Sequence, residues 1–285
     1  MDWKSAFEKI PGPGNITVLN PTSYLTQGTL VRENNTSLVH IADIHSPLTG
    51  ARQAFIKTFP TKFVENGLAN ELIGYLVARE GGLPVAEEAY ILILPSELLF
   101  FRCHPDFKSD IATVEGINIV WATSAVDGHP LKYLHPLRDP SLRKRLLKWQ
   151  ELPTMLAFDD LVANQDRTED NLVCIHNGSM VLVDHADIAG GISRQIEYLD
   201  PSFSPANLFV RDAFEGYVPD TVTSGMILAA ERHPHVVRNA LPHIAFWLDL
   251  LFPNTPERTG KLLDFLQVRA DGSADRIRRH YGMLI

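Results

Sequence analysis

Residues Asn164 to His185 read NQDRTEDNLVCIHNGSMVLVDH, a short apolar ribbon that begins and ends on charged and polar side chains. Leu172-Val173-Cys174-Ile175 and Met180-Val181-Leu182-Val183 flank His176-Asn177-Gly178-Ser179. Asn-Gly between two such runs is a strong hairpin signal. A two-residue loop at Asn177-Gly178 pairs Ile175 with Met180, Cys174 with Val181, Val173 with Leu182 and Leu172 with Val183, and sets Asn171 opposite Asp184. Opposed residues hold their Cβ atoms about 4.5 to 5.5 Å apart, so an amide and a carboxylate are expected to converge at the open end. Both faces of the ribbon are apolar, which implies burial on both sides and a mouth that opens into a protected cleft. Such an oxygen pair suits magnesium, which takes one or two protein oxygens and keeps water or phosphate for the rest. Asn and Asp are also ordinary turn residues, so at this point a capping Asn171 and a strand-ending Asp184 are an equal reading.

The chain has 285 residues, is 45% hydrophobic and 21% charged, and can build a sizeable core. Its richest apolar run, Ala89 to Leu94, ends at Pro95, far short of a membrane span. The first residues, Met1-Asp2-Trp3-Lys4-Ser5, lack the basic-then-apolar layout of a signal peptide, and a cytoplasmic location is expected. Cys103 and Cys174 give neither a disulfide framework nor metal-ligand spacing. A formal charge of -8 argues against direct nucleic-acid binding, which needs clustered Lys and Arg. The basic stretch from Arg138 to Lys148 reads as the solvated face of a helix.

The α+β organisation is a strand-rich first part, residues 1–125, and a mostly helical second part, residues 126–285. Gly28 to Glu33, Thr36 to Asp43 and Arg52 to Phe59 have strand composition and form a meander. Glu65 to Glu80 carries Leu68, Leu72 and Leu76 four apart, an amphipathic helix stopped by Gly81-Gly82 and Pro84. Further strands are expected at Ala89 to Leu94, Glu97 to Arg102 and Gly116 to Ala125. Arg143 to Ala163 reads as helix broken by Pro153 and leads into the hairpin; helices follow at 222–231, 236–252, 256–265 and 274–281.

Three groups could act with the hairpin. Lys57 shares a strand face with Phe55 and Phe59, an unusual setting for a surface lysine, although a long stem can snorkel to solvent. Glu71 sits at the border of its helix's apolar stripe, where a solvated flank glutamate is the alternative. A strand lysine followed by a helix glutamate is the arrangement that aims an ammonium at nucleotide phosphates. Asp166 precedes Asn171 in a D-x4-N spacing that is weak alone and gains from the hairpin returning Asp184 to the same mouth. Phosphoryl transfer needs an acid to orient a hydroxyl, oxygens for magnesium and a cation on the phosphates.

Taken together, Lys57 in A-F-I-K, Asn70-Glu71 in a helix ending G-G-L-P-V, N-x-D-R-T-x-x-N at 164–171 and V-D-H at 183–185 resemble the HipA-like kinases, relatives of protein kinases and phosphoinositide kinases. The resemblance spans about residues 28–190. It implies a two-lobed protein-kinase-like fold, with a small N-terminal antiparallel sheet plus one helix as the nucleotide-clamping lobe and a larger helical lobe. It implies Asp166 as the catalytic aspartate, Asn171 and Asp184 as magnesium ligands, Lys57 on the α- and β-phosphates of ATP, and Glu71 holding Lys57. A backbone edge at Trp121 to Asp127 is where order along the chain would put adenine. The activity implied is transfer of the γ-phosphoryl of ATP to a hydroxyl, a protein Ser or Thr, in a bacterial toxin–antitoxin or regulatory system with an antitoxin or regulatory protein as partner. A small-molecule kinase, an AMP transferase and a non-catalytic nucleotide-binding module are the alternatives.

The sequence departs from the kinase pattern in three places. Asp184 is followed by His185-Ala186 and not by Phe-Gly. No G-x-G-x-x-G precedes Lys57; the equivalent turn is Glu33 to Ser37, whose Asn35, Thr36 and Ser37 are the expected phosphate contacts. Thr168 stands where a lysine two residues after the catalytic aspartate would be, so Arg167 is the nearest cation for the γ-phosphate, or else a structural residue. No zinc-ligand spacing and no G-x-S-x-G elbow appears.

Overall fold

The computed structural model describes residues 12–33, 36–95, 98, 117–134, 140–176 and 178–282. Two compact units result: Met1–Ala69 with Ala86–Ala125, and Asn70–Val85 with Val126–Ile285. Among the described residues, no helix is long and apolar enough to cross a membrane.

The first unit is a six-stranded sheet of β1 (Ile16–Leu19), β2 (Tyr24–Glu33), β3 (Leu38–Ser46), β4 (Gly50–Thr58), β5 (Ala89–Pro95) and β6 (Ile117–Ser124), in the order β1-β5-β6-β4-β3-β2. The sheet is mixed where an antiparallel one was expected: β1 lies parallel to β5, pairing Ile16 with Ala89 and Leu19 with Leu92. At four residues, all buried, β1 has no polar alternation by which to be read from sequence. The other pairings are antiparallel. The strand expected at Glu97 to Arg102 falls outside the described residues except for Leu98.

Period-2 burial is clear in β3, where Leu38, His40, Ala42 and Ile44 turn inward. Of these, Ala42 and Ile44 join Leu19, Ala54, Ile56, Tyr90, Leu92, Leu94, Val120 and Ala122 in one continuous core. Glu88 is buried at the start of β5 and fully engaged: Ser46, Thr49 and Tyr90 hydroxyls and the Arg52 guanidinium all donate to its carboxylate. Burial raises its pKa, and these donors more than offset that and hold it below the usual carboxylate value.

Helix α1 (Val64–Glu80) starts in the first unit and ends in the second. Its end is a Schellman motif: Leu83 N–H donates to Ala78 O (2.9 Å), Gly82 N–H to Arg79 O (3.0 Å), and Gly82 takes φ 76°. The chain then passes directly to the hairpin, since Leu182 N–H donates to Pro84 O (2.8 Å) and Val85 bridges Leu182. Residues 70–85 therefore group with the second unit.

That unit holds a small sheet, β7 (Gly128–Pro130), β8 (Leu172–Ile175) and β9 (Met180–Leu182). Its helices among the described residues are α2 (Leu131–Leu134), α3 (Pro140–Leu146), α4 (Leu152–Leu161), α5 (Leu208–Phe214), α6 (Asp220–Ala230), α7 (His233–Leu251), α8 (Pro256–Asp271) and α9 (Ser273–His280). Pro153 opens α4 in its first turn, where its missing N–H costs nothing. Helix α5, not anticipated from sequence, is capped by Asn207, whose Oδ1 accepts from Val210 N–H (2.9 Å). Helix α4 packs on α6, α6 on α9, and α7 on α8.

Two buried histidines are held neutral. His40 Nε2 lies 2.9 Å from the Tyr24 hydroxyl, and burial lowers its pKa to about 4. His233 Nδ1 lies 2.7 Å from the Ser273 hydroxyl; burial, then the charges of Arg276 and Arg232, lower it to about 3. An unfolded histidine protonates near pH 6.5, so below that pH the unfolded state binds protons that the folded state refuses. Stability is therefore expected to be complete above about pH 6.5 and to fall toward pH 4, by up to about 1.4 kcal/mol per pH unit for each histidine. Denaturant titrations at pH 7, 6 and 5 test this: His233→Gln should flatten the decline, and an unchanged slope would mean that His233 is not held neutral.

Candidate active site

The hairpin forms, with a register one residue away from the expected one. Leu172 pairs with Leu182, Val173 with Val181 and Cys174 with Met180. Gly178 N–H donates to Ile175 O (2.9 Å) and Ile175 N–H to Ser179 O (3.1 Å), so the loop has three residues, 176–178, with Gly178 at φ 84°. A turn followed by a left-handed glycine is the usual three-residue solution; Asn177 itself lies outside the described residues. This register sets the deeply buried Leu172, Cys174, Met180 and Leu182 across from one another, and a slip of one would break that face. Burial on both faces holds for β9, whereas Val173 and Ile175 of β8 are half-buried.

As a consequence Asn171 faces Val183 and not Asp184, and Val183 N–H donates to Asn171 O (3.1 Å). Asp184 is the next residue, and at φ 60° it turns out of the ladder in a left-handed conformation that aspartate tolerates better than most residues.

Arg167 was open to two readings, a cation for the γ-phosphate or a structural residue, and its surroundings are those of the second. It is 1% exposed, and its guanidinium is committed inside the protein. Nε and Nη2 bond the Asp159 carboxylate (3.1 and 3.0 Å to Oδ1), while Nη1 donates to Asn171 O (3.3 Å) and Val183 O (3.2 Å). A guanidinium enclosed in this way is not presented to a γ-phosphate; it is the clasp across the mouth of the hairpin. Burial raises the pKa of Asp159, and the Arg167 charge and the Arg167 and Asn164 hydrogen bonds oppose the shift. Asp159 was missed in the sequence, although a carboxylate within the apolar run Leu156-Ala157-Phe158 is a signal in itself.

Asp166 is placed by its neighbours. Asn164 Nδ2 donates to Asp159 Oδ1 (2.9 Å) and Asn164 Oδ1 accepts from Asp166 N–H (3.0 Å), a local Asx turn. Asn171 Nδ2 donates to Asp166 O (3.0 Å), and Asn171 Oδ1 accepts from the Thr168 hydroxyl (3.1 Å). Thr168, which replaces the expected lysine, thus orients Asn171. Asp166, Asn171 and Asp184 all stand at the polar end of the hairpin, Asp166 held through its backbone, Asp184 bonded through its carboxylate and Asn171 through both backbone and side chain.

Helix α1 supplies the other wall of this end. Glu71, 3% exposed, accepts from His185 N–H at Oε2 (3.1 Å), so it holds the residue after Asp184. The His185 ring stacks edge-on against Phe158 at 5.8 Å and fills the space beside Gly74, where a Cβ would collide with it. Asp187 Oδ1 accepts from Ile192 N–H (3.1 Å), a loop cap.

In the first unit, Lys57 is 7% exposed, with Nζ 5.5 Å from the Phe59 ring centroid and with Val39 and Trp121 as cross-strand partners. Of the expected phosphate turn, Asn35 lies outside the described residues, Thr36 is half-buried and Ser37 is 3% exposed, which leaves Thr36 as the more open hydroxyl.

The donor chemistry at the hairpin fits magnesium. Asn171 Oδ1 accepts one hydrogen bond and has a second lone pair, and Asp184 adds a carboxylate. No cluster of three or more His, Cys, Asp or Glu suited to a metal exists among the described residues, which does not disfavour an ion that uses one or two protein oxygens and phosphate.

No protein-family model matches the chain, and no curated protein does. Among solved structures, the crystal structure of the Helicobacter pylori proinflammatory kinase CtkA aligns with a TM-score of 0.50 at 12% identity, over 93% of this chain and 98% of that one. The chain has an α+β, two-lobed kinase-like fold.

Removing one partner of a buried ion pair leaves an uncompensated charge and costs about 3 to 5 kcal/mol. Arg167→Met and Asp159→Leu should each lose that much in chemical denaturation, and the double variant clearly less than their sum. Additive losses would show that the pair does not act as a unit.

Proposed function

We propose that the protein is an ATP- and magnesium-dependent phosphotransferase of the HipA-like type, acting on a serine or threonine hydroxyl of another protein. The observation that carries this reading is the grouping of Asp166, Asn171 and Asp184 at one end of a hairpin, held by the Arg167 clasp and by two asparagine side chains. A module that only bound nucleotide would have no use for a carboxylate at Asp166.

In this reading Asp166 accepts the proton of the attacking hydroxyl as its oxygen bonds to the γ-phosphorus and the bond to the β-phosphate oxygen breaks, releasing ADP. Asn171 and Asp184 hold magnesium, which supplies charge neutralisation on the phosphates when bound. Lys57 contacts the α- and β-phosphates and Thr36 a further phosphate oxygen. A regulatory protein partner of the antitoxin kind and a place in the cytoplasm belong to the same reading.

The test is label transfer into a bacterial lysate from ATP labelled at the γ- or the α-phosphate. Label from the γ position alone is expected; label from α would replace phosphoryl by nucleotidyl transfer, and label from neither would sink the reading. Asp166→Asn should lower transfer about 10²- to 10⁴-fold with nucleotide binding retained, the usual contribution of a general base. Asp184→Asn should abolish the magnesium dependence of nucleotide binding, measured by fluorescence titration.

A further inference from the structure

Beside Glu71, helix α1 carries a fully buried side chain that the kinase reading leaves without a role. Asn70 is 0% exposed. Its Nδ2 donates to two carbonyls of the segment that follows Asp184, Ala186 O and Ile188 O, the second at 3.2 Å. Its Oδ1 accepts from Arg194 Nη1 at 2.6 Å, and the same Nη1 donates to Ile188 O and Gly191 O at 3.4 Å. One carboxamide thus ties together both ends of the loop from residue 186 to residue 194. The loop can double back to it because Ala189, Gly190 and Gly191 take φ of 52°, 89° and 91° in succession.

The connection to the metal carboxylate is short. Ala186 N–H donates to Asp184 Oδ1 (3.4 Å), while the Ala186 carbonyl is held by Asn70. His185, between them, is fixed at its N–H by Glu71 and at its ring by Phe158 and Gly74. Asn70 and Gly74 stand one helical turn apart on the same face of α1, so this face meets Ala186 and His185, the two residues that follow Asp184. The loop is tied at its other side to the segment that carries Asp166: Ala189 N–H donates to Val162 O (2.7 Å) and Gln165 N–H to Asp187 O (3.1 Å).

We infer that Asn70 is a positioning residue for Asp184, setting the carboxylate's orientation toward the metal through the Ala186 backbone. The inference rests on the kinase reading above. It explains why an amide is needed at this position: two carbonyls require N–H donors and a guanidinium requires an acceptor, and of the side chains of this size only asparagine offers both. An aspartate of the same shape would satisfy Arg194 and repel the two carbonyls.

The experiment is a magnesium titration of the binding of a fluorescent ATP analogue to the full chain, for wild type, Asn70→Asp, Asn70→Ser and Leu248→Ala. Leu248→Ala removes buried bulk from α7 and controls for lost stability. The expected result is a rise of about 10- to 100-fold in the half-saturating magnesium concentration for both Asn70 variants, the usual effect of losing a group that orients a metal ligand. Binding without magnesium should stay at the wild-type level, and Leu248→Ala should keep the wild-type magnesium requirement. Wild-type magnesium dependence in a folded Asn70→Asp, or in Asn70→Ser should the aspartate variant not fold, would overturn the inference. Absence of magnesium-dependent binding in the wild type would instead overturn the kinase reading itself.

Discussion

The buried pair of Arg167 and Asp159 is the constraint on which the candidate site depends. A guanidinium removed from water must find partners for its donors, and here they are one carboxylate on α4 and the carbonyls of two strand ends. Since those carbonyls belong to Asn171 and Val183, satisfying the arginine also fixes the spacing of the hairpin's mouth. The charge that the sequence offers for contact with substrate is spent instead on geometry. A buried ion pair is weak evidence for net stability, and its value here lies in permitting one arrangement and penalising others.

Much of this was legible in the sequence. The two apolar runs around Asn-Gly announced the hairpin, whereas the lysine among phenylalanines left a snorkelling Lys57 open, and the structure buries it. The helix at 64–80 followed from its leucine spacing and its glycine stop. What sequence could not settle was register. Asn-Gly suits a two-residue loop, and only the packing of Leu172, Cys174, Met180 and Leu182 across the ladder selects a three-residue one. Strand β1 was hidden because four buried residues have no period.

The side chains missed were those whose roles are reciprocal. Asp159 stands out in its apolar run and Asn70 in its motif, yet neither these nor Arg194 shows its role there; each is explained by a partner 8 to more than 100 residues away. Asn164 could have been found, because an asparagine two residues before the candidate aspartate is an Asx-turn signal. Gly74 could not, since a glycine inside a good helix is explained only by the His185 ring packed against it.

Residues 70–85 carry a consequence for how the molecule can be divided. The helical unit takes one piece from before β5 and β6 and the rest from after them, so it is discontinuous along the chain. A fragment cut at the apparent seam after residue 125 would lack Pro84 and Val85, against which Leu182 is seated, as well as the carboxylate and carboxamide that hold residues 185 to 188. The hairpin is thus completed by a segment that precedes two of the sheet's strands, and a protein built in this way cannot exchange one half for another by simple recombination at a linker.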